Sequence, residues 1–128
     1  MVERISIQGT RSSPEVDCDP ATKTLRLEGE SYPENTFDFY KPLVAWLEDV
    51  LAENDGGSDP VTLDVALAYL NTGSIKSLMD MLDRMDEAHE AGTAVAVVWR
   101  CDAENERVVE LAEELLEDLS LPYEIKTE

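Results

Sequence analysis

Apolar and polar positions change their spacing several times along the chain, and each change marks an expected element. Ile5-Ser6-Ile7 and Thr24-Leu25-Arg26-Leu27-Glu28-Gly29 alternate residue by residue, as strands with one buried face do. Ser12-Ser13-Pro14 and Asp17-Cys18-Asp19-Pro20 between them are rich in turn formers, so a hairpin or a pair of short strands is expected here. From Thr36 to about Ala52 the spacing lengthens: Phe37, Tyr40, Val44, Leu47 and Leu51 recur at three and four residues, with Asn35 as N-cap and Asp38 in the first turn. Pro42 lies inside this run. Lacking an N–H and crowding the preceding turn, it implies either a kink or a short turn followed by a second helix.

Asn54–Pro60 reads as a loop by composition, and Val61–Leu70 as a strand that is largely apolar toward its end. After Asn71-Thr72-Gly73-Ser74 a helix is expected from Ser74 onward, with Ile75, Leu78, Met79, Leu82 and Met85 on one face and Asp80, Asp83, Arg84 and Glu87 on the other, ending at Gly92. Ala94–Trp99 is almost uniformly apolar, the pattern of a central strand covered on both faces. A polar break from Arg100 to Asn105 leads into a helix to about Leu119, carrying Val108, Leu111, Ala112, Leu115, Leu116 and Leu119. Pro122–Lys126 suits a last edge strand. Strands alternating with helices imply right-handed crossovers and an α/β fold: a mixed, largely parallel sheet of about five strands with helices packed against it.

A chain of 128 residues is long enough to bury one core without disulfides or metal, so a single domain over residues 1–128 is expected. No segment approaches the ~20 apolar residues that cross a bilayer, and Met1-Val2-Glu3-Arg4-Ile5-Ser6 lacks the apolar core of a secretory signal, which together imply a cytoplasmic protein. Cys18 and Cys101 are too few for a disulfide framework or a four-ligand zinc site; free thiols are expected, with a disulfide as the lesser alternative. Charge says more. With 29 acidic against 10 basic residues the net charge is −19, which argues against nucleic acid and membrane surfaces as partners; solubility, or a salty cytoplasm, accounts for the acidity as well as binding does.

His89 is the only histidine, so no two-histidine metal site can form, and any nucleophile–histidine pair must use a residue near the end of a helix. No glycine-rich phosphate cradle is present. Acidic pairs such as Glu113-Glu114 and Asp83 with Asp86 or Glu87 suit solvated helix faces, and no cofactor is implied. The Asn71–Ser74 turn differs in position. It leaves the C-terminal end of an inner strand and opens a helix, where α/β sheets place ligands and modified residues, and where the helix dipole favours an anion by ~0.3–1 kcal/mol. A phosphate on Thr72 or Ser74 would be well seated there. The structural alternative has Asn71 making the turn, Gly73 supplying an unusual backbone angle, and Ser74 capping the helix by accepting from the N–H near Ser77.

Tyr32-Pro33-Glu34-Asn35, then Leu67-Ala68-Tyr69-Leu70-Asn71-Thr72-Gly73-Ser74-Ile75-Lys76, then Val97-Val98-Trp99 before an acidic stretch, and Glu113-Glu114 ahead of a Leu-Pro-aromatic ending follow one another collinearly over nearly the whole chain. In these motifs the chain resembles the SiaC family of regulatory phosphoproteins, themselves similar to the STAS domains of bacterial partner-switching systems. The resemblance implies a non-enzymatic STAS-like domain, phosphorylated at Thr72 by a dedicated protein kinase and cleared by a PP2C-type phosphatase. It further implies that the unphosphorylated form binds and activates a diguanylate cyclase, linking the protein to cyclic-di-GMP and biofilm control. Gly73 departs from the commoner N-T-S-S pattern, removing a competing hydroxyl and loosening the turn, and Cys101 stands where the family often has an aromatic. Tyr32, Glu34, Asn35, Asn71, Ser74 and Lys76 are the expected partner-binding residues. Lys76 suits either a phosphate partner or a solvated lysine, and Tyr32–Asn35 either a partner surface or a helix-entry turn. An anti-sigma factor antagonist shares the same fold and phosphosite and is the second reading; a small metal-dependent enzyme is the third.

Overall fold

Every second residue of the long strands is apolar, and that alternation sets one side of a sheet against the helices. The computed structural model describes residues 2–54 and 59–128. The elements run β1 (Ile5–Ile7), β2 (Glu15–Asp19), β3 (Thr24–Ser31), α1 (Thr36–Glu53), β4 (Val61–Leu70), α2 (Thr72–Glu90), β5 (Val95–Cys101), α3 (Glu106–Leu116) and β6 (Tyr123–Thr127). The six strands lie side by side in sequence order. β1, β2 and β3 pair antiparallel, whereas β3 through β6 are parallel.

Because β3 to β6 always step in the same direction, right-handed crossovers set all three helices on one face. Leu25, Leu27, Leu63, Val65, Val97 and Trp99 meet Leu43 and Leu47 of α1, Leu78 and Met81 of α2, and Ala112 and Leu116 of α3 in one buried core. Each large side chain buried there contributes about 1.5–3 kcal/mol. The opposite face of the sheet carries polar side chains; on it Arg100 Nε donates to Asp64 Oδ1 at 3.0 Å. β5 is therefore not covered on both faces. Its Ala96 and Val98 are half-buried, shielded by flanking strands rather than by a second layer.

The strand count rises to six because Glu15–Asp19, expected partly as a turn, is β2. Val16 and Cys18 are buried, and the acids that read as turn formers are the other face of the strand. α1 passes through Pro42 as one helix. Pro42 is exposed, so the carbonyl it leaves unpaired faces water, while Leu43, Trp46, Leu47 and Val50 hold the helix from the other side. Most of the loop expected over Asn54–Pro60 lies outside the described residues. α2 starts at Thr72 rather than Ser74, and its buried stripe is Leu78, Met81, Leu82 and Met85; Met79 falls off that stripe and is exposed. Gly92 follows the helix with φ +100°, the left-handed conformation that ends helices. Both cysteines are buried free thiols. Among the described residues no helix is long and apolar enough to cross a membrane.

Candidate functional site

Three parallel strands deliver the chain to one rim, and each hands over to a helix capped by asparagine. The side chains of Asn35, Asn71 and Asn105 accept hydrogen bonds from the backbone N–H of Asp38 (3.1 Å), Ser74 (2.9 Å) and Val108 (3.4 Å). Each bond satisfies one of the donors that a helix start leaves open. The rim is also tied sideways. Asn71 N–H donates to Ser31 O at 2.9 Å, and Asn105 Nδ2 donates to Ala68 O at 3.0 Å. Tyr32 N–H reaches Ser12 O in the β1–β2 loop at 2.7 Å.

Beneath the rim lies a cluster of three hydroxyls. Ser31 Oγ is 2.5 Å from Tyr40 OH and 2.7 Å from Ser74 Oγ, and Ser74 Oγ also reaches Ser31 O at 3.0 Å. One set of proton positions satisfies all of these contacts: Tyr40 donates to Ser31 Oγ, Ser31 donates to Ser74 Oγ, and Ser74 donates to the Ser31 carbonyl. Ser31 and Ser74 are fully buried and Tyr40 is 1% exposed. Burial pushes the Tyr40 phenol up, while its bonds to Ser31 and Ser74 pull the other way. Ser74 is thus neither the cap, which is Asn71, nor part of the exposed rim. It fastens α2 to the end of β3 and to α1.

Thr72, the first residue of α2, is exposed. It lines a groove of about 380 Å³ between α2 and α3, together with Tyr69, Ile75, Asn105, Arg107 and Leu111. Lys76 faces the other way, into a hollow of about 600 Å³ between α1 and α2 shared with Phe37, Gly73 and Met79. Tyr32 meets Tyr69 edge-on, ring centroids 5.7 Å apart, so the start of the Tyr32–Asn35 segment and the Asn71–Ser74 segment adjoin. Glu34 is exposed beside the Asn35 cap. Gly73 sits where the starts of α1 and α2 cross. A Cβ there would lie 2.2 Å from Thr36 Oγ1 and 3.1 Å from Thr36 Cβ, so glycine serves a close approach between the helices rather than the unusual backbone angle expected, its φ not being positive.

Tyr69, Phe37, Thr36 and Arg107 were missed as rim residues. For Tyr69 the cause is a register shift between β3 and β4: Gly29 pairs with Leu67 and Glu30 with Tyr69, so Ala68 and Tyr69 are both exposed. Such a bulge re-aims a side chain in a way that alternation does not reveal. His89 lies in the last turn of α2, about 25 Å along the helix from Thr72. Among the described residues no group of three or more His, Cys, Asp or Glu is placed to hold a metal ion. Burial raises both thiols, Cys18 to about 12; at Cys101 the charge of Glu113 adds to the effect of burial. The rim presents the exposed Thr72 beside the exposed rings of Tyr32 and Tyr69.

Residues 7–128 match the family model described as SiaC family regulatory phosphoprotein. An uncharacterized protein of Pseudomonas aeruginosa (strain UCBPP-PA14) is 44% identical over 122 residues, covering 95% of this chain and 94% of that one. Apo-SiaC from P. aeruginosa shares the fold with TM-score 0.89 at 42% identity, over 97% of this chain and 98% of that chain. The structure of the diguanylate cyclase SiaD in complex with its activator SiaC, from the same organism, gives TM-score 0.90 at 44% identity over 97% of this chain and 99% of that chain. With matches of this extent, the chain belongs to the SiaC family of regulatory phosphoproteins.

Proposed function

We propose that this protein is a non-enzymatic cytoplasmic switch whose unphosphorylated form binds and activates a diguanylate cyclase, and that phosphorylation of Thr72 ends that binding. The observation that carries the reading is the exposed hydroxyl of Thr72 at the first residue of α2, on a rim shared with the exposed rings of Tyr32 and Tyr69. A SiaC that is 44% identical forms such a complex with its cyclase, which supports the choice of output. In the forward step a kinase transfers the γ-phosphoryl group of ATP to Thr72 Oγ1, whose proton is lost, and ADP leaves. A PP2C-type phosphatase returns the group to water as inorganic phosphate. The product carries ~1.5 to 2 extra negative charges at one point of the rim. The dipole of α2 makes that charge tolerable to the fold by ~0.3–1 kcal/mol, yet a partner that had packed against the rim would have to bury it or move away. Cyclic-di-GMP output and biofilm control follow from the cyclase.

Incubation with ATP, magnesium and the kinase encoded nearest to this gene, followed by intact mass and site mapping, tests the acceptor. One phosphoryl group on Thr72, absent in Thr72→Ala, is expected. Modification elsewhere, or none by an active kinase, overturns the assignment.

A further inference from the structure

We propose that Arg107 receives the phosphate on Thr72, tying the first turn of α2 to the first turn of α3; this rests on Thr72 being the acceptor. Both residues line the same groove, Thr72 from one wall and Arg107 from the other. Two features set Arg107 apart. It stands in the first turn of α3, where the helix dipole disfavours a cation. Like Arg11, which does not line this groove, it also has no ion pair among the described residues, although the chain holds 29 acidic side chains and Arg4, Arg26, Arg84 and Arg100 have carboxylate partners. A cation held unpaired at the unfavourable end of a helix is compensated once an anion arrives across the groove. The guanidinium fork suits a phosphate, to which it can donate two parallel N–H groups.

The other charges around the groove sharpen the assignment. Glu110 and Glu114 line the same α3 wall and oppose a phosphate, so Arg107 is the cation of that wall. Lys76, the nearest basic residue in sequence, lines the hollow on the α1 side instead. The bridge would span the groove between α2 and α3 beside Tyr69, and so mark the phosphorylated rim by a closed groove as well as by its charge.

The test uses full-length protein with phosphothreonine incorporated at position 72 during translation, so that no kinase is needed. Titration by phosphorus NMR reads the second ionisation of the phosphate. Arg107→Gln is expected to raise that pKa by about half a unit relative to the parent. Arg107→Lys is expected to recover part of the shift. Lys76→Gln, and Arg4→Gln at the opposite end of the sheet, control for the loss of one positive charge and are expected to move it less. A shift in Arg107→Gln no larger than in Arg4→Gln, or a larger one in Lys76→Gln, overturns the proposal. Arg107 is exposed, so its variants should fold, and circular dichroism checks that they do. Failure of kinase labelling at Thr72 would overturn the switch reading by a separate measurement.

Discussion

Two helix starts in this chain share the dipeptide Asn-Thr. Asn35-Thr36 opens α1 and Asn71-Thr72 opens α2, and in both the asparagine side chain caps the helix through the N–H three residues on. Locally they are near copies. In the fold they are not, because Thr36 is wedged with its Oγ1 against Gly73 whereas Thr72 opens onto the groove toward α3. The asparagine makes the helix start, and the neighbouring helix decides which threonine stays open to solvent. Gly73 and Ser74 enforce the difference, one by admitting Thr36 and the other by locking α2 to Ser31 and Tyr40.

Filling the close approach should break the comparison most severely. Gly73→Val is expected to cost about 1–3 kcal/mol through overpacking, read as a lowered urea midpoint with unchanged slope. Combining it with Thr36→Ala should return part of that loss, and simple additivity would show that the two positions do not meet. Next in size is Ser74→Ala, expected to cost about 1–2 kcal/mol because Ser31 loses a buried partner on both its hydroxyl and its carbonyl. Removing the caps sharpens the contrast further. Asn71→Ala and Asn35→Ala should each cost about 1 kcal/mol in chemical denaturation, but only Asn71→Ala should slow phosphorylation, since it frays the turn that carries the acceptor. The smallest effect on stability belongs to the threonine itself. Thr72→Ala should lie within about 0.5 kcal/mol of the parent while abolishing phosphorylation, and Thr36→Ala should leave phosphate incorporation intact.

The order of the main helices and long strands was legible because each has a clean period, and the Asn35 cap with Asp38 was legible because capping is local. β2 was not, since Asp17 and Asp19 resemble turn formers unless Val16 and Cys18 are weighed as a buried face. Nor was the continuity of α1, which depends on Pro42 falling on the solvent side. At the rim, Thr72 and Asn71 could be picked out from a strand-to-helix turn together with a family motif. The burial of Ser74, the seat of Gly73 against Thr36, and the placing of Thr72 and Arg107 along one groove depend on residues far apart in sequence. Tyr69 needed knowledge of a bulge, which hydrophobic spacing does not carry.

The most direct measurement is activation of a diguanylate cyclase from the same organism, titrated with unmodified protein and with protein carrying phosphothreonine at position 72. Cyclase activity that rises with the unmodified form and stays at its basal level with the phosphorylated form is the predicted result. Equal activation by both forms would contradict a switch at Thr72.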